Sequence, residues 1–159
     1  MLLFYGCLHP VAKNAIVDYM NNDVTAPSDT LLFFAYGTLR KDGALYEHWL
    51  KDLVVDDLGK ASLRFARLFY PTDHKRYPYC VWTGKFDDEA VGEVFEVVVN
   101  SDLAQMLSME VSAGYRLSEG EVTLADGTQK MALICTWDKT HGQAVPDNDW
   151  LSAERAVWW

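Results

Sequence analysis

Apolar residues recur along this chain in two rhythms. Segments 2–5, 31–35, 61–70, 79–83 and 90–99 are either continuously apolar or alternate with period two, and each reads as a β-strand. The run 90–99 is rich in valine and apolar on both faces, which predicts a central strand. In 61–70, Leu63, Phe65 and Phe69 fall on one side and Arg64 on the other, and Pro71 ends the run. Asp126-Gly127 stands between EVTLA and TQKMALICTW, where it suits a tight hairpin turn. Helical spacing appears after Pro10, with Ala12, Ile16, Tyr19 and Met20 on one face, and again in 44–53, with Leu45, Trp49, Leu50 and Leu53 inward. In NSDLAQMLSME, Asn100 or Ser101 can cap a helix that turns Leu103, Met106 and Leu107 to the core. The final DNDWLSAERAVWW predicts a short helix whose Trp150, Val157, Trp158 and Trp159 pack back on the body. Segment 21–30, NNDVTAPSDT, reads as a linker. More strands than helices, in mixed order, predict an α+β domain: a small mixed β-barrel with flanking helices.

Composition narrows the partners. A chain of 159 residues, half of them apolar, suffices for one continuous core. A net charge of −9 disfavours nucleic acid, whose affinity rests on clustered Lys and Arg, and leaves a small solute or a protein as partner. No apolar run reaches the ~18 residues needed to cross a bilayer, and MLLFYG lacks the length and basic flank of a secretory signal. Cys7, Cys80 and Cys135 share no CxxC spacing, which suits reduced core thiols in a cytoplasmic protein. Nothing in the composition sets the oligomeric state.

Two features carry candidate chemistry. The pattern YGxL occurs twice, at Tyr5 to Leu8 and at Tyr36, Gly37, Thr38 and Leu39, each time between an apolar strand and a helix. A glycine just after a strand lets backbone N–H groups turn outward together toward a carboxylate or a developing oxyanion. The plainer reading is that Gly37 relaxes a turn and Tyr36 fills core. The second feature is Glu110, which at about 100° per residue shares the stripe of Leu103, Met106 and Leu107. An ionised carboxylate there must be paired, hydrogen-bonded or open to a cavity. The plainer reading is a helix end where Glu110 meets water or Arg116. Asp56-Asp57 and Asp87-Asp88-Glu89 read as solvated turns, and Glu93 and Glu96 as edge or barrel-mouth groups. His9, His48, His74 and His141 lack zinc spacing, and no nucleophile elbow, Walker loop or dinucleotide fingerprint is present.

The succession FFAYGTLR, RYPYCVW, AVGEVFEV and LAQMLSMEVSAGYR resembles the gamma-glutamyl cyclotransferase-like superfamily, particularly its small gamma-glutamylamine cyclotransferase members, over roughly residues 31–137. The resemblance implies a cofactor-free, metal-free enzyme of the lyase or acyltransferase type. It would convert a gamma-glutamyl amine or gamma-glutamyl amino acid to 5-oxoproline and free amine. Glu110 would be the general acid/base, and the second YGxL copy, Tyr36 to Leu39, would hold the substrate together with Tyr115. It also implies a division into an N-terminal addition (1–30), the cyclotransferase-like domain (31–138) and an aromatic tail (139–159). Two departures bear on substrate choice: Leu117 follows Arg116 where the family often has a second Arg, and VSAGY replaces its usual Gly- and Pro-containing turn. The alternatives are a non-catalytic small-molecule-binding domain on the same fold, and an interaction protein that uses its N-terminal addition and tail.

Overall fold

The first strand shows why the chain closes on itself. The computed structural model describes residues 29–72, 77–138 and 142–157, with side chains as far as Ala153. Strand β1 (Thr30–Ala35) is apolar on both faces, so that Phe33 and Ala35 belong to one packed cluster and Phe34 to another. Such a strand also needs hydrogen-bonding partners at both edges, because a buried N–H or C=O without one is costly. β1 finds them in β5 (Glu89–Val98), antiparallel with Phe34 opposite Val94, and in β7 (Gln129–Thr136), parallel with Phe33 opposite Leu133. Through β2 (Val54–Arg64) and β6 (Arg116–Leu124) the order β1-β5-β2-β6-β7 returns to β1 as a closed barrel. β4 (Tyr79–Trp82), β3 (Ala66–Tyr70) and β8 (Gln143–Ala144) extend the sheet beyond β7. The described residues therefore form an α+β fold, a small barrel with extra strands and a few short helices.

Each barrel strand sends a side chain to the interior: Phe34, Leu63, Val94, Val122 and Ile134. The outer face of β1, β5 and β7 carries Phe33, Phe95, Val97 and Leu133, on which helix α1 (Ser101–Ser112) lays Leu103, Met106 and Leu107. Each fully buried leucine contributes roughly 1.5–3 kcal/mol. Asn100 caps α1, its side chain accepting the Leu103 N–H at 2.9 Å. Helix α2 (Trp150–Val157) adds Trp150, Leu151 and Ala153 to the barrel-side cluster.

Several expectations need correction. β2 starts at Val54, so Asp56 and Asp57 lie in an exposed strand and not in a turn. Polar residues on both faces hide the alternation there, and pairing with β5, with register shifts at Val54/Asp56 and Asp57/Gly59, makes the strand. The run 61–70 is two strands, divided at Phe65 with φ 63°. Phe65 stands 41% exposed beside Phe86, while Ala66, Leu68 and Tyr70 turn inward. Hydrogen bonds from the Phe65 N–H to Asp88 O and from the Thr83 and Gly84 N–H groups to Phe65 O hold the kink. Segment 44–53 is a π-helical turn (Tyr46–Leu50) followed by a 3-10 turn (Lys51–Leu53). Leu50 and Leu53 are buried in it, but Leu45 is exposed. Asp88 is buried and paired with Arg67 at 3.3 Å, so it is not a solvated turn residue. Residues 2–5, the helix after Pro10, the first YGxL copy, Cys7, His9, His74, His141, Trp158, Trp159 and the Val157 side chain lie outside the described residues.

Candidate active site

The chain leaves β1 through Tyr36, Gly37, Thr38 and Leu39, and these four residues form one wall of a cavity of about 200 Å³. Tyr77 and Pro78 stand at another side, and Glu110, Ala113 and Tyr115, from the end of α1 and just beyond it, at a third. Cys135 of β7 and the exposed Leu45 also line it. All six candidate site residues named from the sequence therefore border the same space. Arg116, the alternative neighbour of Glu110, pairs instead with Asp138 at 2.7 Å.

The end of α1 sets the geometry of Glu110 and Tyr115 together. The Tyr115 N–H donates to Glu110 O and the Gly114 N–H to Val111 O, both at 3.0 Å, with Gly114 at φ 104°. This pair of bonds is a Schellman ending, which requires the left-handed residue that glycine supplies. VSAGY is thus a helix stop that brings Tyr115 back over the turn bearing Glu110. The Tyr115 hydroxyl then donates to Pro78 O at 3.0 Å, tying α1 to the opposite wall. The Tyr36 hydroxyl donates to the carbonyl of Cys135. Both tyrosine O–H groups are engaged with backbone, so toward a ligand their oxygens offer lone pairs.

Burial raises the Glu110 carboxyl above its ordinary pKa. Burial first, and the Glu110 charge next, also raise Tyr115 and Cys135; Tyr36 is raised chiefly by burial, with smaller contributions from Tyr115, the two cysteines and Glu110. A half-buried carboxylate in a mostly apolar cavity, with a raised proton affinity, can take and return a proton more readily than an exposed one. Among the described residues no three His, Cys, Asp or Glu come together as a metal site.

Sequence reasoning missed Tyr77, Pro78 and Cys135 as walls. Pro78 explains the glycine of the loop: a Cβ on Gly37 would lie 2.7 Å from its Cγ and 2.9 Å from its Cδ. Gly37→Ala is expected to cost about 1–3 kcal/mol by overpacking and to push Pro78 off the loop. Urea unfolding checks this, and an unchanged midpoint would show that the loop and Pro78 do not approach so closely.

This chain belongs to the gamma-glutamyl cyclotransferase, AIG2-like family, whose model matches residues 33–152. Solved structures with the same fold include YkqA from Bacillus subtilis, 22% identical with a TM-score of 0.60 over 80% of this chain and 42% of that one. This chain thus spans less than half of YkqA. An AIG2-like protein from Mus musculus is 18% identical with a TM-score of 0.56, over 69% of this chain and 78% of that one. A protein described as gamma-glutamyl cyclotransferase is 18% identical with a TM-score of 0.56, over 73% and 70% of the two chains. No curated protein matches the sequence. No helix among the described residues is long and apolar enough to cross a membrane.

Proposed function

We propose that the protein is a cyclotransferase that converts a gamma-glutamyl amine or gamma-glutamyl amino acid to 5-oxoproline and free amine, with Glu110 as its acid/base. The observation that carries this reading is the half-buried Glu110 carboxylate lining the same cavity as the 36–39 loop. In the reaction the substrate's own α-nitrogen attacks its side-chain carbonyl. The substrate already tethers nucleophile to electrophile, so the protein must fold it, move protons and stabilise the oxyanion. Glu110 takes a proton from the α-ammonium group, and the freed amine forms the ring C–N bond. The carbonyl oxygen becomes an oxyanion, for which the Thr38 and Leu39 amides, with no acceptor among the described residues, are the donors. Collapse breaks the old C–N bond. The ring nitrogen sheds two protons in all: Glu110 passes one to the departing nitrogen and the other to the released amine or to water, and ends ionised as it began.

The lone pairs of Tyr36 and Tyr115 suit the substrate ammonium, and the apolar walls favour a compact folded substrate over an extended one. The free, buried thiols Cys80 and Cys135 fit a reducing, cytoplasmic setting. The test is incubation with a panel of gamma-glutamyl amines and dipeptides and assay of 5-oxoproline. We expect stoichiometric 5-oxoproline and amine from at least one of them. Binding without turnover across the whole panel would favour a non-catalytic binding domain.

A further inference from the structure

Directly after the 36–39 loop comes Arg40, a residue only 5% exposed and outside the cavity lining. Its Nη1 donates to Asp149 Oδ1 at 2.6 Å, and its Nη2 to Glu93 Oε1 at 3.4 Å. The other oxygen of Glu93 accepts the Lys41 backbone N–H at 2.8 Å. Asp149 is the residue before α2 and accepts the Ser152 N–H at 3.5 Å, so one carboxylate both caps that helix and takes the arginine. Three segments distant in sequence therefore meet at one side chain: the loop after β1, the middle of β5 and the start of α2.

Stability is a poor reason for this arrangement. A buried ion pair gains little over apolar packing once desolvation is counted, and Arg40 Nε has no acceptor among the described residues. What such a group does well is fix geometry, because a planar guanidinium holds two carboxylates at set directions. The loop needs that restraint. Past Tyr36, whose hydroxyl reaches Cys135 O on β7, the loop's own bonds are a Gly37–Arg40 turn (Arg40 N–H to Gly37 O, 3.0 Å) and a closing bond from Leu45 N–H to Thr38 O at 2.9 Å, and neither ties it to the barrel wall. The bonds through Arg40 and Lys41 do.

We propose that Arg40, Glu93 and Asp149 form a buried ionic clamp that positions the 36–39 loop against the cavity, making α2 part of the machinery that orders the site. Arg40 is a positioning residue that acts through the backbone of the loop. Burial pushes the Asp149 carboxyl up, but the hydrogen bond and charge of Arg40 outweigh it and hold it below the ordinary range, so Asp149 stays ionised at neutral pH. The kinetic part of the proposal rests on the cyclotransferase reading; the structural part does not.

The test uses Asp149→Asn and Glu93→Gln in the full chain. Asparagine still caps α2 and both changes keep side-chain shape, so the fold is retained while the charge is lost. Amide hydrogen exchange by NMR at Arg40, Lys41, Gly43 and Leu45 is expected to accelerate at least ~10-fold in each variant, with exchange in the α1 segment around Leu107 unchanged. With a substrate found as above, kcat is expected to fall ~10-fold or more and KM to change less than ~3-fold, the signature of a misplaced loop. Arg40→Lys, which keeps the charge without the fork, should lose part of the same kcat. Unchanged exchange at the loop amides, or acceleration spread equally over loop and α1, would overturn the clamp. If the wild-type protein turns over no substrate, the cyclotransferase reading fails, and the exchange result alone decides the clamp.

Discussion

Glu110→Gln is expected to lower 5-oxoproline formation by at least about 10²-fold while leaving the fold intact, because the amide keeps the shape of the carboxylate and cannot cycle a proton. KM should change little, since the 36–39 loop is untouched. Stability should move the other way. Burial raises the folded-state pKa of Glu110 above its unfolded value, so ionising it is harder in the native protein. The native state therefore carries no penalty below the unfolded carboxyl pKa, loses stability as the pH rises toward the raised folded value, and bears the full cost above it. The glutamine variant lacks this dependence and should be at least as stable as wild type at neutral pH. The acid limb of wild-type kcat/KM should fall above the ordinary carboxyl range for the same reason. Urea unfolding across pH checks the stability and steady-state kinetics across pH the turnover, and near wild-type turnover in the variant would remove Glu110 from the mechanism.

Trp150→Ala carries the largest expected effect on stability. Trp150 is 1% exposed, packs against Tyr70 with ring centroids 6.2 Å apart and shares the barrel-side cluster with Val145 and Leu151. Its Nε1 has no hydrogen-bond partner among the described residues, so the loss is one of packing. Removal of a buried tryptophan costs roughly 3–5 kcal/mol, a large part of the total stability of a small domain. In urea unfolding the midpoint should drop with an unchanged slope. A loss under about 1 kcal/mol would mean that 145–153 is not held on the barrel in solution. The same substitution disturbs the neighbour of Asp149, so a secondary loss of turnover is expected through Arg40.

Features set by short stretches of chain were legible in the sequence. The Asn100 cap, the stripe of Leu103, Met106, Leu107 and Glu110, the valine-rich strand around Val94 and the Asp126-Gly127 hairpin each depend on residues within a turn or two of one another, where local propensity and spacing act directly. The family resemblance added expected roles for Tyr36 and Tyr115 that spacing alone does not assign. Other features were decided in three dimensions. The strand character of 54–60 exists because β5 lies beside it, and the kink at Phe65 because the Asp88 carbonyl and the Thr83 and Gly84 amides fasten it. Pro78 and Cys135 became cavity walls, and Arg40 a buried junction, through contacts between residues tens of positions apart. By itself the sequence determined which residues carry the candidate chemistry and which face of its helix Glu110 occupies. Only the tertiary structure decided that the end of α1 and the loop after β1 share one cavity, because the parallel closure of β1 on β7 and the docking of α1 across the outer face of the barrel are long-range pairings that no local spacing encodes.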